Sequence, residues 1–268
     1  MESKKILFVS QEITPYLPET EMSTIARNLP QGIQERGKEI RTFMPRYGCI
    51  NERRNQLHEV IRLSGMNLII DDNDHPLIIK VASIQAARMQ VYFIDNEDFF
   101  HRKSTVTDKE GKFHPDNDER AIFFARGVLE TVKKLQWAPD LIHCHGWFTS
   151  LIPLYIKHKY NDDPMFMNSK VVLSVYDNGF TPDLDKRMKD KLISEEIPAD
   201  DLSVIETPSY ENLMKLAINF SEGVVQSSEN VNTNVIEHAK SIGLPVLDHQ
   251  PADNYIDAYN SFYDEILA

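Results

Sequence analysis

Residues 4–45, KKILFVSQEITPYLPETEMSTIARNLPQGIQERGKEIRTFMP, decide the fold. Lys4 to Ser10 reads as a buried first strand. A loop marked by Pro15 and Pro18 follows. From Met22 to Arg36 the apolar residues Met22, Ile25, Ala26, Leu29 and Ile33 recur at helical spacing, and Gly37 stops the helix. Glu39 to Met44 is a second strand ended by Pro45. A β-α-β unit of this kind makes parallel neighbours joined by a right-handed crossover.

The alternation resumes downstream. Strands are expected at Asp140–Cys144, Lys170–Tyr176, Gly223–Gln226 and Pro245–Leu247. Helices are expected at 116–135, 147–159, 209–220 and 230–242, with a charged, proline-punctuated segment at 177–207. Between 57 and 95, short alternating runs separated by Gly65 and the turn DDNDHP read as inserted strands and hairpins. Asp116 and Asn117 offer an N-terminal cap to the helix that follows them. With Glu119 and Arg120 they form a cluster expected to cap the helix and hold an internal ion pair. The expected fold class is α/β: a single Rossmann-like, doubly wound parallel sheet with a β-hairpin excursion. The expected division is a domain over residues 1–248 and a C-terminal helix over 249–268, amphipathic between Ala252 and Leu267, packing back on it.

Bulk properties exclude several functions. With 268 residues and 41% hydrophobic content, the chain can bury a sizeable core. Its net charge of −12 argues against nucleic acid and against anionic membrane surfaces. The apolar run after Lys4 and Lys5 is too short for a signal peptide, and no segment approaches the roughly 20 apolar residues of a membrane span, so a cytoplasmic protein is expected. Cys49 and Cys144 lie far apart and read as free thiols.

The chemical screens narrow the field further. No G-x-x-x-x-G-K-[ST], no G-x-G-x-x-G after the first strand and no G-x-S-x-G is present, which disfavours P-loop chemistry, dinucleotide binding and the α/β-hydrolases. In DLIHCHGWFTSLIPLY (140–155), His143 and His145 share one face of a strand, but further metal ligands are missing nearby. Cys144 points to the opposite face from His145, so the two do not form a nucleophile and its base. No metal and no cofactor are expected.

In an open α/β sheet the ligand lies beyond the carboxyl ends of the strands. Residues 10–24, 143–149 and 174–180 end there. Five stretches carry a resemblance: SQEITPY (10–16), NLPQGIQERGKEIRTFMPRY (28–47), VYFIDNEDFFHRK (91–103), HPDNDERAIFFARGVLE (114–130) and PDLIHCHGWFTSLIPLYIK (139–157). In order and spacing the chain resembles bacterial glycogen synthases and plant starch synthases, retaining glycosyltransferases that build α-1,4-glucans from ADP-glucose. The resemblance implies the N-terminal half of a GT-B fold, whose active site lies between two Rossmann-like domains. It implies sugar-facing roles for His145 and Trp147, with Glu12, Tyr16 and Tyr176 along the same edge. His145 is the one catalytic candidate.

The departures are as specific as the matches. Where the family has K-x-G-G-L facing the nucleotide sugar, this chain reads PETEM (18–22), with Pro18 for the lysine and Thr20 and Glu21 for the glycines. Proline supplies no cation, and Glu21 adds negative charge where a diphosphate would sit. The family's T-I-H-N reads SVYDN (174–178), and Gly146 replaces the aspartate of H-D-W. Beyond the first domain only the terminal helix is expected, so the nucleotide-binding second domain, with its cationic pair, is expected to be missing. Removing one well-placed electrostatic donor typically costs about 10²–10³ in rate.

These features lead to a synthase-like domain expected to be inactive alone, binding an α-glucan, ADP-glucose or a protein partner across the cleft face. Two other readings stand beside it: an active synthase completed by another chain, and a pure protein–protein module or homo-oligomer.

Overall fold

The computed structural model describes residues 3–268. Ten strands form a mostly parallel sheet: β1 (Lys5–Ser10), β2 (Glu39–Pro45), β3 (His58–Glu59), β4 (Met66–Ile70), β5 (Asn73–Ile84), β6 (Met89–Asp95), β7 (Leu141–His145), β8 (Lys170–Val175), β9 (Gly223–Gln226) and β10 (Val246–Leu247). The order is β10-β9-β8-β7-β1-β2-β6-β5-β3, with β4 paired to β5 off this path. The run from β10 to β6 is parallel, whereas β5 pairs antiparallel with β6, β4 and β3. The doubly wound α/β sheet and its hairpin excursion follow the sequence pattern.

The helices are α1 (Glu21–Glu35), α2 (Glu97–Phe100), α3 (Asn117–Lys134), α4 (Leu151–His158), α5 (Met188–Ser194), α6 (Tyr210–Asn219), α7 (Thr233–Ser241) and α8 (Tyr255–Ile266). Three details differ from the sequence expectation. The turn between β4 and β5 is only Asp71–Asp72, both at positive φ (47° and 64°), so Asn73 and His75 are strand residues. Trp147–Thr149 is a 3-10 turn, and α4 begins only at Leu151. The charged segment 177–207 holds α5 and a 3-10 stretch at Ala199–Ile205, seated by buried Met188, Leu192, Leu202 and Ile205.

The expected cap on α3 is not made. The Asp116 side chain makes no hydrogen bond to the helix start and instead pairs with Arg102 through both oxygens (2.6 and 2.5 Å). Asn117 is buried, donating to the Val106 carbonyl (2.8 Å) and accepting from Arg120 (2.6 Å). The internal ion pair is made by Glu119 and Asp118, both 2.7 Å from the buried Lys191 ammonium. Arg120 is fully buried between the Tyr47, Phe100 and Phe148 rings and donates to the Phe99 carbonyl. A bidentate guanidinium partner outcompeted the local cap at Asp116.

Two apolar layers flank the sheet. One cluster joins α3, α4, α6 and the hairpins. The other sits beneath α1 and α8, built from Ile6, Phe8, Leu29, Ile33, Val172, Val225, Tyr259, Phe262 and Tyr263. Helix α8 approaches α1 so closely that a Cβ on Gly32 would lie 2.5 Å from the Ile256 side chain. At the rim Arg36 pairs with Asp257 and Lys38 with Asp264. Among the described residues, no helix is long and apolar enough to cross a membrane.

Candidate functional site

The parallel register brings Ser10 beside His145 and His145 beside Ser174. The three loops leaving β1, β7 and β8 therefore meet at one edge of the sheet, as the strand pattern requires. Gln11 ties two of them, accepting from the Phe148 amide (3.2 Å) through its side chain and donating its own amide to the His145 carbonyl (3.1 Å).

His145 is completely buried. Its Nδ1 lies 2.8 Å from the Tyr176 hydroxyl, its ring centroid is 3.9 Å from that of His143, and its Nε2 has no hydrogen-bond partner among the described residues. His143 sits between the Tyr263 hydroxyl at Nδ1 (2.5 Å) and the Ser174 hydroxyl at Nε2 (2.7 Å). Burial pushes His145 down to about 3, and burial together with His145 holds His143 well below the usual histidine range. Both imidazoles are neutral at pH 7. Tyr263 belongs to α8, so this polar pair runs from the sheet edge into the terminal helix.

Trp147, 1% exposed, packs against Phe180 (4.7 Å between centroids), Phe148 (5.2 Å) and Phe113 (5.7 Å). Tyr16 is buried edge-on against Phe93. Tyr176 is buried too, but it reaches the wall of two clefts. Glu12 is half-buried, and burial raises its carboxyl against the hydrogen bond from Thr20.

Gly146 explains its own substitution. It has φ 86° and ψ 163°, a region essentially restricted to glycine. A Cβ there would lie 2.8 Å from Met22 Cε and 2.9 Å from Gln11 Oε1. Met22 and Gln11 thus fill the space that an aspartate would need. The sequence exposes the glycine but not this compensation, because Met22 lies 124 positions away and the two meet only through the fold.

The loop at 18–22 is folded around its own groups. Thr20 is the N-cap of α1: its Oγ1 accepts from the Ser23 amide (3.0 Å), and Ser23 Oγ accepts from the Thr20 amide (2.8 Å). Thr20 Oγ1 also lies 2.9 Å from Glu12 Oε2, to which it donates. Glu21 accepts from the Ser228 hydroxyl. The start of α1, where amides and dipole favour an anion, is therefore occupied by the chain's own hydroxyls and flanked by the Glu12 and Glu21 carboxylates. The cleft lined by Glu12, Thr20, Glu21, Tyr176, Asp177 and Ser228 is only about 170 Å³. A larger one, about 640 Å³, opens beside it between the ends of β8 and β9 and the start of α7, walled by Tyr176, Asp177, Tyr210, Gln226, Asn230 and Asn232.

Comparison with known proteins agrees with this geometry. The sequence is 38% identical over 194 residues to a glycogen synthase of Chlorobium luteolum, covering 72% of this chain and 40% of that protein. It is 38% identical over 173 residues to the glycogen synthase of Chlorobaculum tepidum, covering 64% and 36%. The chain thus spans about 40% of the length of its curated relatives. In fold it is similar to the catalytic domain of starch synthase IV from Arabidopsis thaliana, a structure bound to ADP and acarbose. The TM-score is 0.73 at 17% identity, over 95% of this chain and 53% of that one. The fold matches a domain of a GT-B glycosyltransferase. A family profile described as the starch synthase catalytic domain matches residues 5–247, and the chain belongs to that family.

Proposed function

We propose that this chain is a glycogen- or starch-synthase-like domain that does not transfer glucose by itself and that binds an α-glucan on its cleft face. The self-capped start of α1 carries the reading. Thr20 occupies the Ser23 amide of the first turn, Glu12 and Glu21 present carboxylates, and Pro18 stands where the family has a lysine. A nucleotide diphosphate placed there would meet repulsion and find the Ser23 amide already used. His145, the residue expected to meet the transferred glucose, has its Nδ1 at Tyr176 and is closed from solvent.

The glucan side of the reading is supported by the larger cleft. Beside Asp177, Glu229, Glu237 and Lys240, its tyrosine, asparagine and glutamine lining offers ring edges and amides to a polar ligand rich in hydroxyls. Within it Tyr176 and Gln226 belong with the substrate-facing residues. The similarity to glycogen synthases and the ADP and acarbose of the Arabidopsis structure belong to those proteins, and they set the ligand class tested here. The same similarity supports a cytoplasmic location.

Two assays test the reading. Purified protein is expected to be retained on glycogen above a control protein and to release no ADP from ADP-glucose and maltooligosaccharide. ADP release by the chain alone would overturn it. The 38% identity also favours a second reading, in which the remaining part of a synthase supplied as another chain restores activity. ADP release only in that mixture would select it.

A further inference from the structure

The opposite end of the sheet, where β2 and β6 begin and α3 ends, holds a separate recess. A cleft of about 590 Å³ is walled there by Arg41, Arg62, Arg88 and Lys134, against the single carboxylate Glu39. In a chain of net charge −12, four cations around one recess are a local inversion of sign. We propose that this recess binds a small phosphomonoester through its phosphate group.

The geometry of the cations supports a phosphate. The Arg41 guanidinium lies over the Trp137 ring (5.2 Å) and the Tyr92 ring (5.9 Å), and donates to the Tyr92 hydroxyl (3.0 Å). Its orientation is set before any ligand arrives, and its Nε is buried with no partner among the described residues. Lys134 is anchored on the Leu63 carbonyl (3.0 Å). Arg62 and Arg88 are exposed and form no ion pair among the described residues. Arg88 stands at φ 50° in the turn before β6, where glycine or asparagine would carry less strain and arginine supplies charge. The Glu39 carboxylate is bound by the Trp137 indole N–H (2.5 Å), which offsets part of its repulsion. A guanidinium fork matches two phosphate oxygens at once.

The walls also limit the rest of the ligand. Tyr92, the one aromatic ring of the recess, is buried and stacked on Phe43 (4.9 Å), with Arg41 over it. No face is left for a nucleobase, so the ester is expected to carry a polar body such as a sugar. The confinement of the cations to one recess, in an acidic chain, disfavours a nucleic acid strand.

Calorimetric titration of the full chain at low salt tests the proposal, with inorganic phosphate, glucose 6-phosphate and glucose as probes. Saturable binding of the ester is expected with Kd below ~1 mM, with none for glucose. The double variant Arg62→Ala/Arg88→Ala touches only exposed, unpaired side chains and is expected to keep its Tm while binding weakens about tenfold or more. Tighter binding of the ester than of phosphate assigns part of the contact to its body, and equal binding assigns the site to the phosphate group alone. Both outcomes uphold the anion site. Absence of saturable binding by either anion at 5 mM, or binding unchanged in the double variant, overturns it.

Discussion

Two loops of the same sheet edge have met opposite fates. The β7 loop, HCHGW, keeps most of the residues that the resemblance assigns to sugar, and all of them are buried. The α1 loop, PETEM, has lost the matching residues and stays exposed apart from Met22. His145 and Trp147 are held by Tyr176, His143, Phe180 and Phe113, so changing either one disturbs the core. Pro18, Glu19, Thr20 and Glu21 are exposed, and their side-chain hydrogen bonds beyond the helix start run only to Glu12 and Ser228 among the described residues. Survival of a motif in the first loop therefore says more about packing than about chemistry, whereas loss in the second speaks to function. Core membership alone would preserve HCHGW whether or not the domain transfers sugar.

The comparison breaks most visibly at Gly146. Gly146→Asp restores the family residue, yet it must adopt φ 86° and ψ 163° against Met22 and Gln11. A loss of about 2–4 kcal/mol in urea unfolding is expected, from backbone strain plus overpacking. Adding Met22→Ala should return part of that loss by vacating the contact. A neutral single variant would mean that the β7 loop is not locked by its neighbours.

Tyr263→Phe probes how far the lock extends. The change leaves His143 Nδ1 buried without its 2.5 Å partner while keeping the ring in the apolar layer. The expected cost is about 1–3 kcal/mol. Because Tyr263 lies on α8, hydrogen exchange of residues 255–266 should quicken alongside. Unchanged stability would place the pair outside the forces that seat the terminal helix.

The contrast between the loops also explains what was legible beforehand. The parallel strands and the convergence of the three loops followed from periodicity, because buried parallel strands must be apolar runs and their carboxyl ends must share an edge. The PETEM departure was legible because it is a local substitution with local consequences. The sealing of His145 was not, since it depends on Tyr176, His143 and Tyr263, the last being 118 residues further along. Asp116 misled for the same reason: its partner Arg102 lies on a loop, outside any helical spacing. The basic recess was equally hidden, as Arg41, Arg62, Arg88 and Lys134 come from four separate segments.

Protonation gives a graded version of the test. An unfolded histidine takes up a proton near 6.5, whereas folded His145 resists to about 3. Between these values the unfolded state holds more protons, so stability falls as pH drops, by up to ~1.4 kcal/mol per pH unit for each such histidine. His143 acts in the same direction. Asp118 opposes them: burial raises its carboxyl from 3.8 to about 6, so it adds stability as pH falls through that window. The slope of unfolding free energy from pH 6 to 4.5 should therefore stay positive, and it should flatten in His145→Asn by up to the share of one histidine. An unchanged slope would show that His145 titrates in the folded protein near its ordinary value.

The smallest effect is expected at the α1 start, and its direction separates capping from chemistry. Thr20 caps the helix and donates to Glu12, but it is exposed, so water can replace much of what it provides. Thr20→Ala should cost about 1 kcal/mol and Thr20→Gly only a few tenths, since glycine exposes the first-turn amides to solvent and tolerates the cap conformation. In both variants the Glu12 carboxyl should titrate higher than in the parent, because burial already raises it and the hydroxyl that opposes this is gone. A near-silent Thr20→Gly would mean that folding does not require the threonine, so this loop can lose or regain a glycine at little cost to the fold. A cost comparable to Gly146→Asp would instead make the α1 loop as locked as the β7 loop, and its departures from the family could then no longer be read as a statement about the donor site.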